Sequence, residues 1–187
     1  MAKIGIDFGT TNSLIVAYNK ENNKFYYFNY DKYDVTKPIP TSSTVWFHDN
    51  SIIVGSDAKD NINTYSGIEG HHFEKSIKLK LGHSHGVNIF GDIKQPCSIA
   101  AEILRFIKKV AIYDWKAEKS GVDLNSAIFT VPINFNGIQR LSLRKAAQEA
   151  GIQVTTFIHE PFAAIIGYFF TKEIGNSTND VIAELKK

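Results

Sequence analysis

Hydrophobic and polar positions alternate with two periods along this chain, and the change from one to the other divides it. Ile4 to Phe8 is a short apolar run, and Ser13 to Tyr18 is a second, rich in Val and Ile. Gly9, Thr10, Thr11 and Asn12 lie between them, which predicts two strands joined as a hairpin. Asn19 to Lys24 is a polar turn, and Phe25 to Tyr30 reads as a third strand. An antiparallel opening of this kind argues against a dinucleotide-binding βαβ unit, which needs a helix after its first strand. Lys37 to Pro40 holds two prolines and breaks the pattern. Beyond it, Thr44 to Phe47 and Ser51 to Val54 predict a strand pair around Asp49-Asn50, and Gly55 to Asn61 suits a short helix. Residues 62–97 are polar and glycine-rich and read as loops with short elements.

From Ser98 the period becomes helical. Ile99, Ile103, Phe106, Ile107 and Val110 share one face of a helix reaching Lys116, with Glu102, Arg105, Lys108 and Lys109 opposite. Ala127 to Val131 reads as a buried strand. Asn136 is placed to cap the next helix, with Gln139 as its capping-box partner and Gly151 as a left-handed stop. Gln153 to Ile158 is a further strand. Pro161 suits the first turn of a last helix, whose apolar run Phe162 to Phe170 is expected to be buried core. Polar residues follow Gly175. Three antiparallel strands followed by strand–helix units predict an α/β fold with a mixed sheet and helices packed on it.

Composition narrows the function classes. The chain has 187 residues, 43% of them hydrophobic, enough for one ordinary core or two small subdomains. A formal net charge of +2 with dispersed lysines gives no ground for expecting nucleic-acid binding. The single cysteine, Cys97, supports no disulfide framework and fits a reducing, cytoplasmic setting. The apolar strand at Ile4 leaves no room for a leader, and no stretch approaches a membrane span, so no membrane association is expected.

The segment Asp7-Phe8-Gly9-Thr10-Thr11-Asn12-Ser13 carries candidate chemistry. Gly9 lets a ligand approach the backbone, successive N–H groups in a tight turn form an anion-binding concavity, and two threonine hydroxyls stand beside it. Asp7 adds a carboxylate, so that the place suits a phosphate–magnesium pair. A plain hairpin turn with an acid at its edge is the alternative from these residues alone. No Walker-type G-x-x-x-x-G-K-[ST] string is present. His71-His72 and His83-x-His85 lack the spacing and further ligands of a metal site.

Ile4 to Ser13 also resembles the first phosphate motif of the superfamily that holds actin, sugar kinases and 70-kDa heat-shock proteins. Three later segments point to the heat-shock branch. Lys78-Leu79-Lys80-Leu81-Gly82 resembles its Lys-x-x-x-Gly segment. Val131-Pro132-Ile133-Asn134-Phe135-Asn136 with Gln139-Arg140 resembles its Val-Pro-x-x-Phe-x motif and downstream Gln-Arg. Ile158-His159-Glu160-Pro161-Phe162-Ala163-Ala164 resembles its Ile-x-Glu-Pro-x-Ala-Ala motif. Asn12 is similar to the bacterial, DnaK-type version. Asn134 and Gly137 depart from the aromatic and acidic residues usual in the family.

The resemblance implies an actin-like ATPase, ribonuclease H-like fold. Residues 1–36 and 98–187 would form the core of a first lobe, and 37–97 an inserted subdomain. It implies ATP or ADP with magnesium as cofactors. Asp7 and Glu160 would hold the magnesium through water, and Gly9, Thr10, Thr11 and Asn12 would hold the phosphates. Lys78 would act at the γ-phosphate, with Asp7 and Glu160 completing the catalytic set, and Pro132 and Arg140 would relay the nucleotide state to a substrate-binding domain. The implied partners are a second lobe, that substrate-binding domain, a J-domain co-chaperone, a nucleotide-exchange factor and unfolded polypeptide clients. The glycine-rich second phosphate motif expected after Gly175 is not spelled by Val181 to Lys187, so half a nucleotide clamp is expected. A sugar-kinase-like phosphotransferase lobe and a non-catalytic scaffold are the other readings; Asp92 and Asp123 give the first no supporting motif.

Overall fold

A computed structural model describes residues 2–19, 21, 24–28, 39–113 and 122–171. β1 (Ala2–Phe8) and β2 (Asn12–Asn19) form the predicted antiparallel hairpin, and β3 (Lys24–Tyr27) adds to the far side of β2. A two-residue strand β4 (Thr41–Ser42) also pairs with β2, at its start. Next come β5 (Val45–His48) and β6 (Ser51–Val54), turning through Asp49 at φ 48°. Helices α1 (Ser56–Asp60) and α2 (Ile62–Tyr65) follow, then β7 (His71–Glu74) and a 3-10 turn at Ile77–Lys80. β7 pairs with β5, making a second, three-stranded sheet in the order β6-β5-β7. β8 (Val87–Ile89) and β9 (Asp92–Lys94) form a separate hairpin.

The long helix α3 (Pro96–Tyr113) leads back to the main sheet. There β10 (Val122–Val131) lies parallel to β1, helix α4 (Gly137–Glu149) crosses over, and β11 (Gln153–His159) lies parallel to β10. Helix α5 (Glu160–Thr171) completes the described chain. The main sheet therefore runs β11-β10-β1-β2-β3, parallel on one side of β1 and antiparallel on the other. This is the mixed α/β sheet that the pattern predicts.

Strand alternation explains the core. Ile4, Ile6 and Phe8 on β1, Ile15 and Ala17 on β2, and Ala127, Phe129 and Val131 on β10 are all buried on one face. Helix α3 covers that face with Ile99, Ile103, Leu104 and Ile107, and touches the second sheet as well, so one hydrophobic cluster runs through both. The capping box of α4 forms as its sequence predicts. Asn136 Oδ1 accepts from the Gln139 N–H at 2.9 Å, and the Asn136 N–H donates to Gln139 Oε1 at 3.0 Å. Gly151 ends the helix at φ 70°.

One expectation fails. The apolar run that begins at Phe162 is not buried core: Phe162, Ile165 and Tyr168 are 51%, 45% and 54% exposed. Helix α5 leaves an edge strand and packs back on the sheet with one side, where Ala163 and Ile166 are half-buried. Among the described residues no second layer covers its outer side. Hydrophobicity alone does not say which face finds a partner. The tail of the predicted third strand, Lys37 and Pro38 of the proline break, the end of the helix predicted to Lys116 and the residues after Gly175 lie outside the described residues. No helix of the described residues is long and apolar enough to cross a membrane.

Candidate functional site

The three parallel strands β1, β10 and β11 all finish at one edge of the main sheet. Asp7 pairs in register with Thr130, and Thr130 with Ile158, two residues before Glu160 opens α5. The carboxyl edge of parallel strands is where α/β sheets build crevices, because the chain leaves each strand there in a different direction. The β1–β2 turn leaves from the same edge.

Gly9 is required at that turn by space. A Cβ there would lie 2.1 Å from the Asn12 carbonyl oxygen. Thr10 is half-buried, while Thr11 and Asn12 are exposed. The turn is pinned from below by Ser43, which sequence reasoning missed. Ser43 Oγ donates to the Gly9 carbonyl at 3.0 Å and shares a hydrogen bond with Ser13 Oγ at 2.9 Å, while its N–H donates to the Thr11 carbonyl at 2.8 Å. The available signal was the run Thr41-Ser42-Ser43-Thr44, wholly polar and wholly buried. Buried hydroxyls need partners, and here they hold a turn.

Thr130 Oγ1 donates to Asp7 Oδ1 at 2.6 Å, orienting the carboxylate. Lys78, 5% exposed, reaches from the 3-10 turn to the start of α5, where its Nζ donates to Glu160 Oε1 at 2.7 Å. The same ammonium stands 5.9 Å from the centre of the Phe135 ring, in cation–π range. Glu160 is 39% exposed and lies at a helix N-terminus, where an acid is favoured. Pro132 and Arg140 both anchor that phenylalanine: the Phe135 N–H donates to the Pro132 carbonyl at 3.1 Å, and Arg140 Nε donates to the Phe135 carbonyl at 2.9 Å. Gly82, at φ +83°, brings the Lys78 segment against Gln139; a Cβ there would meet the Gln139 backbone nitrogen at 3.1 Å. Thus three separate sequence motifs meet around Lys78.

Asp7 and Glu160 each keep a second carboxylate oxygen free of protein donors among the described residues. Two part-solvated carboxylates of this kind suit a magnesium ion held through its own water shell, since that ion gives up its waters reluctantly. His71 is occupied otherwise. His71 Nδ1 accepts from the Trp46 indole N–H at 3.2 Å, and both rings stack with Tyr65. Among the described residues no cluster of three or more His, Cys, Asp or Glu side chains is placed to chelate a metal directly.

The mixed sheet and its flanking helices define an actin-like ATPase, ribonuclease H-like fold. A family model described as "Hsp70 protein" matches residues 3–183. The chain is 36% identical over 179 residues to the chaperone protein DnaK of Mycoplasma mycoides, covering 91% of this chain and 26% of that protein. It is 33% identical over 192 residues to the chaperone protein DnaK of Mycoplasma mobile and to that of Ureaplasma urealyticum, covering 95% of this chain and 29% of each relative. The chain belongs to the Hsp70 family and is of the DnaK type. It spans between about a quarter and three-tenths of the length of these relatives.

Proposed function

We propose that this chain is the first lobe of an ATP-hydrolysing nucleotide-binding domain in a DnaK-type chaperone, with residues 37–97 as a subdomain inserted into a core of 1–36 and 98–187. The observation that carries the reading is the Lys78–Glu160 pair at 2.7 Å, formed at the sheet edge where Asp7 and the Gly9 turn also stand. In phosphoryl transfer the protein mainly positions groups and neutralises charge. The N–H groups and hydroxyls of Gly9, Thr10, Thr11 and Asn12 hold the β- and γ-phosphates. Asp7, oriented by Thr130, and Glu160, oriented by Lys78, hold the water shell of magnesium. When bound, that ion neutralises charge on the phosphate oxygens. The Lys78 ammonium, restrained by Glu160 and Phe135, offsets charge at the γ-phosphate and orients the attacking water. Phe135 connects Lys78 to Pro132 and Arg140, which gives the nucleotide state a packed route to a substrate-binding domain. A second lobe, unfolded clients, a J-domain co-chaperone and a nucleotide-exchange factor are the partners of this reading, and the cytoplasm its setting.

Calorimetry with ATP and magnesium tests it. The 187-residue chain alone should bind weakly or undetectably, because one lobe supplies half the contacts. A chimera in which the chain replaces the matching stretch of the Mycoplasma mycoides relative should bind tightly and hydrolyse ATP. Micromolar affinity for the chain alone would refute the divided site, and a chimera that binds no ATP would refute the function.

A further inference from the structure

One row of the second sheet carries a carboxylate where its neighbours are valines. Val54, Val45 and Glu74 pair across β6, β5 and β7, which puts their side chains on one face, and all three are buried. The two valines belong to the hydrophobic cluster. Glu74 is met there by Lys80, whose Nζ lies 2.8 Å from Oε1 and donates to Oε2 at 2.9 Å. Lys80 is 44% exposed, so its ammonium reaches in from the surface. A second basic group, His72 Nε2, stands 3.8 Å from Glu74 Oε2, beyond hydrogen-bond reach, and has no hydrogen-bond partner among the described residues.

This contact closes a ring of chain around Lys78. Between Glu74 and Lys80 lie Lys75, Ser76 and the 3-10 turn that carries Lys78. Ser76 reverses the chain at φ 60°, a left-handed conformation uncommon for a residue with a side chain. Ile77 and Leu81, on either side of Lys78, are fully buried. Apolar burial is non-directional, so these two set the depth of the turn and leave its orientation open. An ammonium on both oxygens of a carboxylate is a directional, charge-assisted contact. Stability alone does not call for it, because a buried ion pair is often no better than two apolar side chains in its place.

We propose that Glu74 is a positioning residue for Lys78. By gripping Lys80 it ties the end of β7 to the end of the 3-10 turn, and so fixes the orientation in which Lys78 Nζ meets Glu160 at 2.7 Å. Glu74 touches no nucleotide; it acts through the turn. It also gives Lys80 an acid of its own, so that two cations two positions apart do not compete for Glu160. The effect on catalysis rests on the ATP hydrolysis proposed above; the restraint on Lys78 does not.

Glu74→Leu is the test. Leucine suits the apolar row, and the half-exposed Lys80 recovers water, so Tm of the 187-residue chain should stay level or rise. In the two-lobed chimera, single-turnover ATP hydrolysis should nevertheless fall about tenfold or more, as loss of orientation implies. ADP affinity should stay within about twofold, since no phosphate contact is removed. Lys80→Arg, which keeps the cation, should retain turnover within about threefold on the same reasoning. A second arm uses the 187-residue chain with carbon-13-labelled lysine, the Lys78 ε-methylene being assigned through Lys78→Met. Its restricted motion should be lost in Glu74→Leu and kept in Lys80→Arg. Unchanged Lys78 relaxation in Glu74→Leu, turnover within about threefold of the parent, or a turnover loss that merely follows a fall in Tm would overturn the proposal. If the parent chimera fails to hydrolyse ATP, the function falls, while Lys78 relaxation still decides the restraint.

Discussion

Lys78→Met in the two-lobed chimera should lower ATP turnover by about a hundredfold to a thousandfold, the usual cost of removing one preorganised electrostatic donor. Methionine keeps the length and the packing of the buried stem, so the change isolates the charge. The fold should survive it. Glu160, which loses its partner, is 39% exposed and recovers hydration, so no buried charge is left unpaired. Nucleotide affinity should fall far less than turnover, because the turn and the carboxylates are untouched. Single-turnover kinetics beside calorimetry separates the two quantities. Turnover within about threefold of the parent, against the loss expected for such a donor, would remove Lys78 from the reaction.

Gly9→Ala is expected to damage both stability and binding. The added Cβ would sit 2.1 Å from a backbone oxygen of Asn12, which cannot rotate away as a side-chain end would. The hairpin has to open, and Ser43 then loses the fixed Gly9 carbonyl to which it donates. Overpacking of this kind costs about 1–3 kcal/mol. For a domain of this size each kcal/mol lowers Tm by roughly 2–4 °C. ATP affinity of the chimera should fall about tenfold or more, the equivalent of roughly 1.4 kcal/mol. The restriction is one of space, so Gly9→Ser should be no better tolerated although it adds a hydroxyl. Thermal melts and calorimetry on both variants check this; wild-type Tm and affinity would mean that the turn has room the geometry denies.

What could be read from the chain before its structure was local in origin. The β1–β2 hairpin, the stripe of α3 and the cap of α4 each depend on residues within a few positions; the hairpin and the cap formed as the pattern predicts, and the stripe formed at Ile99, Ile103 and Ile107, with Phe106 and Val110 half-buried and Leu104 buried beside them. Pairings across long separations were not legible from period or propensity. Nothing in the spacing links Lys78 to Glu160, 82 positions apart, and resemblance to a family was what brought them to one site. Ser43, 34 positions from Gly9, had no such help and was missed. β7 was likewise hidden, since His71 to Glu74 becomes a strand only by pairing with β5. The exposed side of α5 escapes the pattern for a related reason. An apolar run states that burial is favourable, and whether a partner layer exists is a property of the whole fold.

In the proposed function the Gly9 turn, Asp7, Lys78 and Glu160 face one bound nucleotide. Amide chemical-shift mapping of the two-lobed chimera titrated with ADP and magnesium reads this most directly. Within this lobe, the largest shifts should fall on Gly9 to Asn12, on the Lys78 to Gly82 segment and on Glu160. Shifts confined to other surfaces, with those three segments unmoved at saturation, would contradict it.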